Sequence, residues 1–436
     1  YKSFDGTQII VQDFEDFTID GQGSTIIINK NLRKSGPSTL SIARCKRTLL
    51  ENLNFDWDWN SNPLASVVEV VGGNDKYFDI KFLEYEDFPQ KDVRIGIFSA
   101  YDPKTKSVGI ENGKTLAFNL FVGRGKPVET QWIASNILRI KTKNPFEAGE
   151  LYRLQHSYYE YGCVSMLSNT HLTLRNFNIY SCSGHAFTVS GTQKYWHFDN
   201  VNIVRPPNSE RRAITTTADH LHIAQSQGYM KMENCEFSLG ADDCINMHDC
   251  SIIMDRESDE TLLSVNARNS YLYNEGEEIE LRQDDFSPAG FTGKVIEKTL
   301  VDKERKIYRV RLDKPIPEMK GVYFVLFSKK YDTRNMIVRN CYFHDNRARG
   351  ILILARDVTI ENCKFRHNEM GAIKIETGYT FDVWSEGYGV DNVVIRNNTF
   401  DTSNPLDVEN AGRARDIVMS VYMKTDPSWS KQLIRY

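Results

Sequence analysis

Seven segments of this chain share one pattern: apolar, polar, Asn, variable, polar, apolar. They are Leu50–Phe55, Leu174–Ile179, Phe198–Ile203, Met232–Phe237, Val338–Phe343, Ile360–Phe365 and Ile395–Phe400. From Asn176 to Asn200 to Asn234 the intervals are 24 and 34 residues, and from Asn340 to Asn362 to Asn397 they are 22 and 35. Self-similarity at periods of roughly 20 to 50 residues marks a solenoid, whose units bury an inner face only by stacking on one another. Alternation of apolar and polar residues, rich in β-branched and aromatic types, makes each unit a strand rather than a helix. Short strands, a repeat of about 22–25 residues and an Asn at one corner predict a parallel β-helix. The Asn has a physical reason to be there. Its short amide tolerates a tight bend and can ladder with the same residue on the next coil. Asp20-Gly21-Gln22-Gly23 ahead of Ser24–Ile28 fits an early coil, and Ile417–Tyr422 fits a last one.

Two long intervals break the repeat. In each, short alternating strands are punctuated by turn sequences such as Gly72-Gly73-Asn74-Asp75 and Asp102-Pro103-Lys104. The intervals share a phrase, Phe146–Leu154 against Tyr273–Leu281, which predicts two related antiparallel barrels set into loops of the helix. The expected division is first coils over 1–55, a barrel over 56–161, and coils carrying the candidate site over 162–249. A second barrel then covers 250–331 and C-terminal coils cover 332–436. The fold class is all-β: a right-handed parallel β-helix with two inserted antiparallel β-barrel domains.

Composition narrows the partners. A net charge of −4 over 436 residues argues against nucleic acid, whose binders carry a basic patch. No apolar run approaches the ~18 residues of a membrane span, and nothing speaks against a homo-oligomer. The first residue is Tyr1 and no signal peptide follows it, so a trimmed N-terminus is expected. None of the eight cysteines forms a Cys-x-x-Cys pair. Cys235, Cys341 and Cys363 recur in the context Asn-Cys-x-Phe, which predicts small apolar side chains stacked in a core rather than disulfides or reactive thiols.

The chemistry concentrates in Gly240-Ala241-Asp242-Asp243-Cys244-Ile245-Asn246-Met247-His248, with Asp219 one predicted coil upstream. Neighbouring coils lie about 4.8 Å apart, so the three carboxylates should gather on one surface. All three are expected to face water, the Asp pair at a bend that Gly240 permits. Mutual repulsion should keep a proton on at least one of them. Glycoside hydrolysis needs this set: an acid for the leaving oxygen and a carboxylate acting as base or nucleophile. Clustered oxygens also suit calcium, but the reading adopted assigns neither metal nor cofactor. Arg347 and Arg349 alternate and so share a face, directed at sugar hydroxyls or at the acids, with Asp345 or Asp357 as surface partners otherwise. Trp384 offers a flat face to a pyranose, with Glu386 beside it. Glu376 ends an alternating strand and could bind a hydroxyl. His222 and His185 lie within one or two coils of the acids, as hydrogen-bonding partners rather than bases. Asp56 and Asp58 are cleft-wall residues at most, a structural role being preferred.

Thr216-Thr217-Ala218-Asp219, Gly240-Ala241-Asp242-Asp243, Arg347-Ala348-Arg349-Gly350-Ile351-Leu352 and Trp384-x-Glu386-Gly387 resemble, in order and spacing, glycoside hydrolase family 110. The resemblance implies a secreted or periplasmic, inverting exo-α-1,3-galactosidase acting on an oligo- or polysaccharide with terminal α-linked galactose. It implies Asp242 as general acid, with Asp219 and Asp243 positioning and deprotonating the water. Polygalacturonases of family 28 carry a similar triad on the same fold, but their Gly-His-Gly and Arg-Ile-Lys motifs do not follow the Asp pair here. Family 110 usually shows Gly-Asp where this chain has Glu376-Thr377-Gly378. A β-helix polysaccharide lyase and a non-catalytic glycan-binding solenoid are the competing readings.

Overall fold

The computed structural model describes residues 8–108, 113–118, 128–265, 268–379, 385–403 and 416–423. All seven corner asparagines adopt the left-handed conformation, with φ of 48° at Asn176, 60° at Asn234 and intermediate values at Asn52, Asn200, Asn340, Asn362 and Asn397. Asn is among the few residues other than glycine that enter this region at low cost. The amides also ladder: Asn176 Nδ2 donates to Asn52 Oδ1 at 3.1 Å, and Asn200 Nδ2 to Asn176 Oδ1 at 2.9 Å. A second file runs two residues further on, from Asn202 to Asn178 to Asn54.

These corners bend one large sheet of 12 strands, in which Leu174 pairs in parallel register with Leu50 on one coil and Phe198 on the next. A sheet of 10 strands faces it, parallel except for the short strand Ser385–Glu386. The core between them is stacked coil upon coil. Phe343, Phe365 and Phe400 stand in file with ring centroids 5.3 Å apart at each step, and Cys235, Cys341 and Cys363 form a buried file of free thiols. Ile417–Met423 does supply a last parallel strand, against Ile373–Tyr379. Among the described residues no helix is long and apolar enough to cross a membrane.

The first insertion leaves the corner sheet after Lys46–Trp57 and returns to the facing sheet at Val164–Leu167. It is an antiparallel sheet whose strand path stays open among the described residues. The second leaves the facing sheet after Ile245–His248 and returns at Arg334–Arg339. It closes into a barrel of six antiparallel strands. The phrase the insertions share builds the same turn in both. Gly149 and Gly276 have φ of 91° and 83°, their N–H groups donate to Val70 and Val295, and the following Glu folds back to cap the N–H of Glu147 or Asn274. The insertions thus leave from the two opposite turns that bound the outer face of the facing sheet.

Candidate active site

Parallel register decides which side chains meet. Phe187, Leu221, Ile245 and Ile351 pair across four successive coils of the facing sheet. Two residues earlier on each coil stand His185, Asp219, Asp243 and Arg349, still joined by backbone bonds: His220 N–H donates to Asp243 O at 2.9 Å, and Cys244 N–H to Arg349 O at 2.9 Å. Position 219 therefore lies directly beside 243, with 242 next to it. One oxygen from each of the three carboxylates lies within 4.8 Å of the others.

The expectation that all three face water does not hold. Asp219 and Asp243 are 2% and 1% exposed, while the Asp242 side chain retains 15%. The reason is company. Arg349, one coil further on, clamps Asp243 with Nε to Oδ1 at 2.6 Å and its second guanidinium nitrogen to Oδ2 at 2.8 Å, and its backbone N–H adds a third bond at 3.0 Å. His222 Nδ1 lies 2.6 Å from Asp219 Oδ2, and the Asp243 N–H donates to Asp219 Oδ1. Gly240 matters through space rather than conformation: a Cβ there would sit 2.6 Å from Asn346 Oδ1 and 2.8 Å from the His220 ring.

Burial pushes Asp219 up to about 7, the His222 hydrogen bond opposing and the Asp242 charge assisting. Burial works against charge on His222, yet the hydrogen bond and charge of Asp219 raise it overall. Each of the two thus holds a proton more tightly than it would in water. Burial also raises Asp243 despite Arg349. His185, with Nδ1 3.7 Å from Asp219 Oδ2, is pushed well down by burial and by His222, and so stays neutral.

Arg347 donates from Nε to the Ala241 carbonyl and brings a guanidinium nitrogen 3.6 Å from Asp242 Oδ1. Both arginines thus face the acids. Asp345 and Asp357, the surface partners considered for them, pair instead with His344 and His367, and with Arg334. Glu376 accepts from Ser420 at 2.6 Å and pairs with Lys374 at 2.7 Å, and its charge adds to the rise of Arg349. Glu386 lies close enough for its charge to favour protonation of His222 and His248. Trp384 lies outside the described residues. Asp56 is a strut, paired with Arg212 at 2.7 Å and accepting from Ser181, and Asp58 accepts from Asn29 and Ser61.

Residues that pattern reading passed over complete the site. Tyr159 and Tyr158 donate to Asp242 Oδ2 at 2.8 and 3.3 Å from the end of the first insertion, 83 and 84 residues away in sequence. Only their position, immediately before the coil resumes, could have drawn attention to them. Asn246 pairs with His222 and Leu352 on the outer face, alternating with core residues Ile245 and Met247. Asn246, His248, Leu352 and Leu354 point outward yet are only 7%, 2%, 5% and 1% exposed. The cover includes the segment after Ser385: Ser385 Oγ meets Ser251 Oγ at 2.7 Å, Gly387 N–H donates to Asp249 O, and a Cβ on Gly387 would lie 3.1 Å from Leu354. The outer face beside the acids is therefore covered rather than left open along the coils. The three Asp oxygens are close enough to share a cation, as are His185, Asp219 and His222.

A family model described as a right handed beta helix region matches residues 325–414. Over 412 residues the chain is 25% identical to alpha-1,3-galactosidase A of Shewanella woodyi. Over 419 residues it is 24% identical to alpha-1,3-galactosidase B of Bacteroides thetaiotaomicron. Both alignments cover 90% of this chain and 64% of the relative, so the chain spans just under two thirds of their length. A solved structure described as a glycoside hydrolase aligns over 95% of this chain and 91% of its own, at a TM-score of 0.33 and 8% identity. The chain is a right-handed parallel β-helix protein. Within that class it is a homologue of the alpha-1,3-galactosidases, as the resemblance to glycoside hydrolase family 110 implied.

Proposed function

We propose that this chain carries the catalytic unit of a glycoside hydrolase that removes terminal α-1,3-linked galactose from glycans outside the cytoplasm, with inversion and without a metal. The observation that carries the hydrolase reading is the gathering of Asp219, Asp242 and Asp243 within 4.8 Å in a chain whose relatives are named alpha-1,3-galactosidases, and inversion follows the resemblance to glycoside hydrolase family 110. Asp242, the most accessible of the three, protonates the departing oxygen. Asp219 and Asp243, fixed by His222 and Arg349, orient a water and accept its proton. Arg349 neutralises the buried Asp243 charge that a cation would otherwise balance, which supports metal-free action. Arg347, Glu376, Trp384 and Glu386 are the proposed sugar-binding residues.

Incubation with α- and β-linked nitrophenyl galactosides and an α-1,3-linked digalactoside, followed by NMR of the first-formed anomer, tests the reading. β-Galactose released from α-linked substrates, at a rate unchanged by a chelator, is the expected result. Asp242→Asn should lower turnover of the digalactoside by about 10²–10⁴-fold while sugar binding persists. Full turnover in that variant would remove Asp242 from the mechanism, and an unsaturated product absorbing in the ultraviolet would mark a lyase.

A further inference from the structure

The chain leaves the first inserted sheet at Gln155 and re-enters the coils at Val164. Within the connecting strap Tyr159 has φ of 61°. The corner asparagines suit that left-handed region, but for a bulky aromatic it is strained and persists only where the surroundings impose it. Here they do. Glu160, 3% exposed, pairs with Arg94 and accepts from the Ser157 hydroxyl and the Tyr158 N–H. The Glu160 and Tyr161 N–H groups donate to Ser183 O at 2.9 and 3.2 Å. Gln155 Nε2 donates to Ser157 O at 2.6 Å and to Thr217 O at 3.3 Å, which ties the strap to the loop that carries Asp219.

This scaffold aims two phenols at a single oxygen, Asp242 Oδ2, with Tyr159 the closer at 2.8 Å. The Tyr159 ring is itself fixed, standing edge-on to His185 with centroids 4.7 Å apart at 87°. Oδ1 points instead toward Arg347, at 3.6 Å.

We propose that Tyr159, supplied by the first insertion, is a positioning residue for Asp242. The phenol holds Oδ2 so that Oδ1 presents the proton to the glycosidic oxygen. As the C–O bond breaks, the Oδ1 proton moves to the departing oxygen, negative charge develops on the carboxylate, and the phenol, which keeps its own proton, stabilises it from Oδ2. The strained strap is then the means by which an inserted domain enters the chemistry. This rests on the reading of Asp242 as the general acid.

The test compares two leaving groups. An α-1,3-digalactoside departs only with a proton, whereas 2,4-dinitrophenyl α-galactoside departs without one. Tyr159→Phe should lower kcat on the digalactoside about 10- to 100-fold, and on the dinitrophenyl substrate by less than about threefold. KM for both substrates and the melting temperature should stay close to the wild-type values. Equal loss on both substrates, or loss on neither, overturns the proposal. Asp242→Asn run in parallel separates the two levels. If it spares the dinitrophenyl substrate and Tyr159→Phe does not, the positioning role alone falls. If Asp242→Asn loses both substrates equally, Asp242 is not the acid and the two readings fall together.

Discussion

Asp219 and His222 sit 2.6 Å apart, and both bind protons more tightly in the folded chain than in free solution. A raised folded-state value has a definite sign in the linkage between protons and stability. The contribution is complete below the ordinary carboxyl value of 3.8 and is lost as pH climbs through the folded values, about 7 for Asp219 and above 6.5 for His222. Asp219→Asn removes the buried carboxylate and, with it, the cause of the His222 rise. Wild type should therefore lose stability relative to this variant between about pH 4 and somewhat above pH 7, with no further divergence at higher pH. Melting temperatures of both proteins measured across that range are the check, and curves that run parallel would show that folding does not raise proton binding at this pair. Arg349 introduces no such slope, because its guanidinium stays charged throughout.

At the scale of the element, the corner is where local chemistry and the global winding agree. Asn176 lies in the middle of its ladder, accepting from Asn200 and donating to Asn52, with φ of 48°. Asn176→Ala should cost about 1–2 kcal/mol from the left-handed conformation alone. Asn176→Gly should recover most of that, losing only the side-chain bonds. Urea midpoints with an unchanged slope measure both effects, and a variant with Ala as stable as the one with Gly would show that the ladder, rather than the backbone, sets the corner. This periodic chemistry is also why the helix was legible: Asn52, Asn340 and Asn397 repeat one local demand, so the sequence shows it repeatedly. The register that sets Asp219 beside Asp243 followed from the same period. The environment of the acids did not, because it comes from chain far away. Arg349 arrives from beyond the second insertion and Tyr159 from the end of the first, and neither distance carries a periodic signal. Burial of Asp219 and Asp243 carries no periodic signal either, since exposure at a bend is set by what packs over it.

At the scale of the molecule, the insertions flank and cover one face of the solenoid. An unadorned β-helix presents a long open face suited to binding the middle of a polymer. Here the first insertion leaves from one bounding turn of the facing sheet and the barrel from the other, and the segment from Ser385 crosses to meet Ser251 at the barrel's root. Outward side chains above the acids, Asn246, His248, Leu352 and Leu354, are closed over in consequence. A face covered in this way fits the proposed action on terminal galactose, in which a chain end enters and a through-running strand does not. Digestion of α-1,3-linked galacto-oligosaccharides of defined length should therefore release the monosaccharide from the first turnover, each remaining chain shorter by one unit. The size distribution of a polymeric substrate should barely change while free galactose accumulates. Chromatography of the products at low conversion reads this directly, and internal fragments appearing before monosaccharide would mean that the cover over Leu354 opens to let a chain pass through.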